Sequence, residues 1–158
     1  MTFQLILRNS APPSASPYRL LDGKGRELVW ANAFLDAQRL RQLSLRSLRA
    51  YGYDLLHLAR WLHLTRHRLA KINQSLLLDY VRYQLDQLPQ PTPSTINHRL
   101  GVLHSLYRFH YGREIPGQGP FSSPLYGAIA SRLWPAASPR HHRFAVAAAL
   151  LRGGPSFR

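Results

Sequence analysis

Apolar residues recur along this chain at two spacings, and the change from one to the other falls at Asn32. Before it, Tyr18-Arg-Leu-Leu21 and Glu27-Leu-Val-Trp30 are short apolar runs on either side of Asp22-Gly-Lys-Gly25. Those glycines tolerate positive φ, so a short β-hairpin is expected over residues 18–31. The preceding stretch, Asn9-Ser-Ala-Pro-Pro-Ser-Ala-Ser-Pro17, is small, polar and proline-rich. It cannot bury enough surface to offset its ordering entropy, and residues 1–17 read as a flexible N-terminal segment.

From Asn32 the spacing becomes helical. Asn32 is placed to cap a short amphipathic helix carrying Phe34, Leu35 and Leu40 and ending near Gln42. A longer helix is predicted from Leu45 to Leu64, capped by Ser44. With Arg46 at zero on a helical wheel, Leu48, Tyr51, Leu55, Leu58, Ala59 and Leu62 fall between roughly 120° and 220°, facing a core. Arg46, Arg49, Tyr53, His57 and Arg60 fall on the opposite side. Asn73 is the expected cap of a third helix reaching about Leu88, with Leu77, Tyr80, Val81, Gln84, Leu85 and Leu88 near one stripe.

Pro89, Pro91 and Pro93 force a turn, after which Ser94 or Thr95 caps a fourth helix to about Tyr111. Ile96, Leu100, Leu103 and Tyr107 share its apolar face, while Asn97, His98, His104, Ser105 and Arg108 lie on the far face. Gly112, Pro116, Gly117, Gly119 and Pro120 end it. Past Phe121 come five Arg, no acid and four Pro, with only short helical pieces expected around 125–133 and 144–152. The pattern predicts an all-α fold of four helices, with a short N-terminal β-hairpin and a poorly structured C-terminal tail.

Length and charge narrow the function. A chain of 158 residues fits one domain with flanking segments. Its 21 Lys and Arg against 7 acids give a net charge of +14, a field that attracts polyanions. With no cysteine there is no disulfide framework, thiol nucleophile or thiolate zinc site. The run Phe144 to Leu151 covers only eight residues, far short of a membrane span, and Met1 to Ser10 lacks the features of a secretory signal. A cytoplasmic location is expected, with no membrane partner.

Two helices, each with an apolar stripe opposite Arg, His, Asn, Ser and Tyr, make a duplex-DNA reader. Arg and Asn can pair bidentately with guanine and adenine edges, and hydroxyls with backbone oxygens. A solvated cationic face is the plainer alternative for either helix taken alone. A basic RNA-binding protein would call for an aromatic platform or a Gly-x-x-Gly clamp, and neither is visible. A helical protein-interaction module remains a rival from another class. The eight histidines lack carboxylate or thiolate companions at metal-ligand spacing, and no glycine-rich phosphate loop occurs. No metal, cofactor or small-molecule substrate is expected.

Two segments also carry a family resemblance. Leu43-Ser-Leu-Arg-Ser-Leu-Arg-Ala-Tyr-Gly-Tyr-Asp-Leu-Leu-His-Leu-Ala-Arg-Trp-Leu62 resembles the first long helix of the core-binding domain of tyrosine recombinases, the phage integrases. Pro93-Ser-Thr-Ile-Asn-His-Arg-Leu-Gly-Val-Leu-His-Ser-Leu-Tyr-Arg-Phe109 is similar to the last helix of that domain, with its Thr-Ile-Asn start and Leu-x-Ser-x-Tyr end. The resemblance covers about 32–121 and implies a four-helix SAM-like orthogonal bundle forming half of a clamp around DNA. It implies DNA contacts from Ser44, Arg46, Ser47 and Arg49 on the first of these helices, and from Thr95, Asn97, His98, Arg99 and Arg108 on the last. Other recombinase protomers become expected partners. Ser44, Ser47 and Thr95 have a competing use in helix capping, and Arg99 lies nearer the core edge than the rest.

The catalytic half of that family needs an Arg, a Lys, a His-x-x-Arg motif, a further His or Trp and a tyrosine nucleophile. No such set follows residue 121. His-x-x-Arg spacings at His57/Arg60, His63/Arg66 and His110/Arg113 lie in or beside the predicted bundle, and about one would arise by chance. No catalytic residue is assigned, and residues 122–158 read as a linker or truncated basic tail, as from a frameshift or a fragment. A catalytic site completed by a second chain is the enzymatic alternative.

Overall fold

The computed structural model describes residues 2–117. The expected helical pieces around 125–133 and 144–152, and the tail as a whole, lie outside the described residues. In chain order the elements are β1 (Gln4–Leu7), β2 (Tyr18–Leu21), α1 (Val29–Leu40), α2 (Leu45–Thr65), a 3-10 turn (Leu69–Lys71), α3 (Gln74–Leu85) and α4 (Pro93–Tyr111). Four helices and a two-stranded antiparallel hairpin match the predicted class. The described residues form two compact units, one of residues 2–70 with Val102–Glu114 and the other of Lys71–Gly101 with residues 115–117. α4 contributes to both.

In the first unit, Leu20, Phe34, Leu35, Leu48, Leu55, Leu106 and Tyr107 are fully buried. Each large apolar side chain removed from water contributes about 1.5–3 kcal/mol before the entropy of ordering it is charged. α2 buries the predicted stripe, with Tyr51 half-buried and stacked on Phe34 at 6.2 Å. It also buries Gly52 and Leu56, on the flank that the hairpin covers, and Trp61 on the opposite flank of the stripe. At Gly52 the close approach requires glycine: a Cβ there would come within 2.8 Å of Leu5 Cδ1.

The hairpin differs from expectation in its partner strand. Tyr18–Leu21 pairs with Gln4–Leu7, in the register Gln4↔Leu21 to Leu7↔Tyr18, and Glu27 makes only an isolated bridge to Leu21. Residues 1–17 are thus not wholly a loose segment: Phe3 and Ser16 are buried, and Ser16 N–H donates to Asp36 Oδ1 at 2.8 Å. The Asp22–Gly25 turn forms as read. Asp22 Oδ1 accepts from the N–H groups of Lys24 and Arg26, and Gly25 takes φ 76°.

α1 begins at Val29, so Asn32 is not its cap. Its amide is buried and serves as a surrogate strand for β2: Oδ1 accepts from Leu20 N–H at 2.8 Å, while Nδ2 donates to Leu20 C=O at 3.1 Å and to Glu27 Oε2 at 3.2 Å. Glu27 also binds Arg8 and Arg19, and Arg19 bridges on to Asp36. This network ties the hairpin to α1.

In the second unit, Ile72, Tyr80, Val81, Gln84, Ile96 and Leu100 are buried. Asn73 caps α3 as predicted, accepting from Leu76 N–H at 2.9 Å. The helix stops at Leu85, however, and Leu88 is 95% exposed rather than part of the stripe. α4 starts earlier than expected. Thr92 is its cap, with its hydroxyl accepting from Thr95 N–H, and Pro93 takes the first helical position, where its missing N–H has no intrahelical partner to lose.

Candidate nucleic-acid interface

Ser44 sets the start of α2, its Oγ accepting from Ser47 N–H at 3.1 Å and donating to Ser47 Oγ at 3.0 Å. Both serines named as DNA contacts are thus engaged in capping. From this fixed start the helix carries Arg46, Arg49, Tyr53 and Arg60 outward as one exposed stripe, with His57 half-buried beside them. Arg49 lies over the Tyr53 ring at 5.4 Å, and Arg60 Nη2 donates to Phe3 C=O at 3.3 Å. Among the described residues no carboxylate forms an ion pair with Arg46, Arg49 or Arg60.

Two acids of this unit, Glu27 and Asp22, are engaged at the hairpin. The hydrogen bond from Arg19 is the chief reason the Glu27 carboxyl lies below its ordinary range. Asp22 is also lowered, first by the Arg26 backbone N–H and then by that of Lys24. Both carboxylates are thus held at the hairpin by Arg8, Arg19 and Arg26, not by the arginines of the α2 stripe.

The remaining predicted residues divide between the two units. In the first, α4 presents Ser105 and Arg108 as exposed and His104 as half-buried. Arg108 is ion-paired with Glu114 at the surface. In the second, His98 is exposed, while Thr95, Asn97 and Arg99 are half-buried. The Thr95 hydroxyl lies 2.9 Å from that of Thr92, and the Asn97 Oδ1 is enclosed by protein. Arg99 Nη1 donates to Oε1 of the fully buried Gln84 at 3.1 Å, so its guanidinium is partly engaged within the fold.

One basic cluster was not assigned a role from the sequence. Arg66, His67 and Arg68 border a cleft of about 580 Å³ floored by Phe3, Trp30 and Leu69. Arg66 takes φ 57° as it ends α2. Arg66, His67 and Arg68 are consecutive in the sequence, but the cleft needs Phe3 and Trp30 brought in from distant positions.

Residues 32–114, just over half of the chain, match the model of the phage integrase N-terminal SAM-like domain. The chain belongs to that family. No curated protein and no solved structure matches it. The span matched by the integrase domain model starts inside α1 and runs to Glu114, so the hairpin stands outside it. Membership ties this integrase-type domain to recombination, and the match is to the N-terminal domain alone. Among the described residues no helix is long and apolar enough to cross a membrane, and no three His, Cys, Asp or Glu gather as metal ligands.

Proposed function

We propose that this chain binds double-stranded DNA without cutting it, as the duplex-gripping part of the integration or site-specific recombination machinery. The supporting observation is the exposed α2 stripe of Arg46, Arg49, Tyr53 and Arg60, free of carboxylate partners, in the integrase-family domain of a chain whose net charge is +14. Arg side chains hold phosphates and read guanine, and Tyr53 adds a hydroxyl for a backbone oxygen. His57, His104, Ser105 and Arg108 extend the contacts in the same unit, and Thr95, Asn97, His98 and Arg99 supply those of the other. Ser44 and Ser47 act mainly by fixing the start of α2. Strand cleavage is assigned to full recombinase protomers bound on the same DNA.

Affinity for a duplex measured at several salt concentrations tests this. Neutralising six phosphates gives a log-log slope of about −5. Salt-insensitive binding, or stronger binding to structured RNA than to duplex DNA, overturns the proposal.

A further inference from the structure

The hairpin register fixes where each backbone group of β1 points. Arg8 N–H donates to Pro17 C=O at 2.7 Å. Antiparallel pairs alternate, so Ile6 and Gln4 are the bonded positions opposite Arg19 and Leu21, and Leu5 and Leu7 are the non-bonded ones opposite Leu20 and Tyr18. β2 has the same phase. Its Leu20 N–H and C=O turn away from β1 to the Asn32 amide, and its Tyr18 N–H and C=O turn away to Ser16 Oγ. The N–H and C=O groups of Leu5 and Leu7 therefore point outward at the far edge of the sheet. Among the described residues nothing is hydrogen-bonded to them.

Phe3 shares this outward phase, and its C=O accepts from Arg60, which brings a cation of α2 to the same edge. Beside Leu5 and Leu7 lies a groove of about 430 Å³, closed by Tyr18, Arg49 and Tyr53. Its wall holds no carboxylate, and Leu7 is 57% exposed at its rim. A short apolar strand edge with free donors and acceptors is a template for strand addition.

We propose that the free edge of β1 docks an extended, acidic segment of a partner protein, which adds a strand to the hairpin. Its backbone pairs with Leu5 and Leu7, its apolar side chains cover Leu7 and Tyr18, and its carboxylates meet Arg49. Edge chemistry favours a peptide over a phosphodiester, because phosphate oxygens only accept and would leave the outward carbonyls unmatched. Charge favours an acidic partner over a second copy, which would bring its own Arg49 and Arg60 and another net +14 to the same place.

The full chain titrated with a blocked peptide of alternating Glu and Val tests this by calorimetry and amide exchange. The peptide is expected to bind and to slow exchange at Leu5 and Leu7, while its Lys-for-Glu counterpart does not bind. Leu7→Pro removes an outward N–H not used in pairing with β2 and should weaken binding roughly fivefold, and Arg49→Ala roughly tenfold, with both variants keeping the native circular dichroism spectrum. Should Leu7→Pro unfold the chain, Arg49→Ala and the exchange pattern decide. No binding, binding without protection at Leu5 and Leu7, or self-association that protects them in the absence of peptide overturns the proposal. None of these arms contains DNA, so failure of duplex binding leaves them interpretable. Where both ligands bind, they are expected to compete for Arg49, a corollary that does rest on the duplex reading.

Discussion

Replacing Asn32 with Ala should destabilise the fold through the hairpin, not through helix capping. The side chain is buried and matches both backbone groups of Leu20, so its loss leaves the Leu20 N–H enclosed without an acceptor. Leu20 C=O keeps one donor, the Leu28 N–H at 3.0 Å. A stranded buried donor costs about 1–3 kcal/mol, and the lost bond to the charged Glu27 adds to it, giving about 2–4 kcal/mol in total. That is a large share of the roughly 5–15 kcal/mol of a typical domain. Urea unfolding followed by circular dichroism reads it as a fall in midpoint at constant slope. Asn32→Asp sharpens the test. It keeps the acceptor for Leu20 N–H but sets a carboxylate against Leu20 C=O and Glu27, so at neutral pH it should be no more stable than the Ala variant. That environment raises the new carboxyl's folded pKa, so its deficit should shrink as pH falls through that value. A loss below about 0.5 kcal/mol for Asn32→Ala, within the range of ordinary surface substitutions, would refute the role given to this amide.

Glu27→Gln should lower stability at neutral pH. Because the folded-state pKa of Glu27 is depressed, its contribution is present above the ordinary carboxylate range and lost as pH falls through the folded value. Denaturant midpoints of the two proteins should therefore converge in acid. Ser44→Ala removes the α2 cap and should cost about 0.5–2 kcal/mol by the same assay, whereas Ser44→Gly should lose only a few tenths. Arg99→Ala takes a donor from the buried Gln84 Oε1 and should lower the urea midpoint by the equivalent of about 1–3 kcal/mol, even without DNA. Arg108→Ala breaks only an exposed pair and should change stability by less than about 1 kcal/mol.

What was legible in the sequence was local. Ser44 and the six-residue stripe after it define α2 within one stretch of chain, and the exposed Arg46, Arg49, Tyr53 and Arg60 follow from the same period. The core face of α4 was readable for the same reason, although its start was missed: Pro93 looked like a breaker but occupies the first turn behind Thr92. The pairing of β1 with β2 was not legible, because the proline-rich loop separates the strands and nothing local names the partner. Asn32 carries the signature of a helix cap, and only the position of Leu20 shows that its amide replaces a strand. Likewise the partners of Arg99 and Arg108 are set by tertiary placement, which helical periodicity does not encode.

The most direct test of duplex binding through the α2 stripe is the salt slope of a triple variant with Arg46, Arg49 and Arg60 all changed to Gln. Removing three phosphate contacts should reduce the slope from about −5 to between about −2 and −3, while neutralising Lys24 and Arg82 leaves it unchanged. A slope unaltered by the triple change, or reduced equally by the Lys24 and Arg82 control, would contradict the assignment of these three arginines to the DNA backbone.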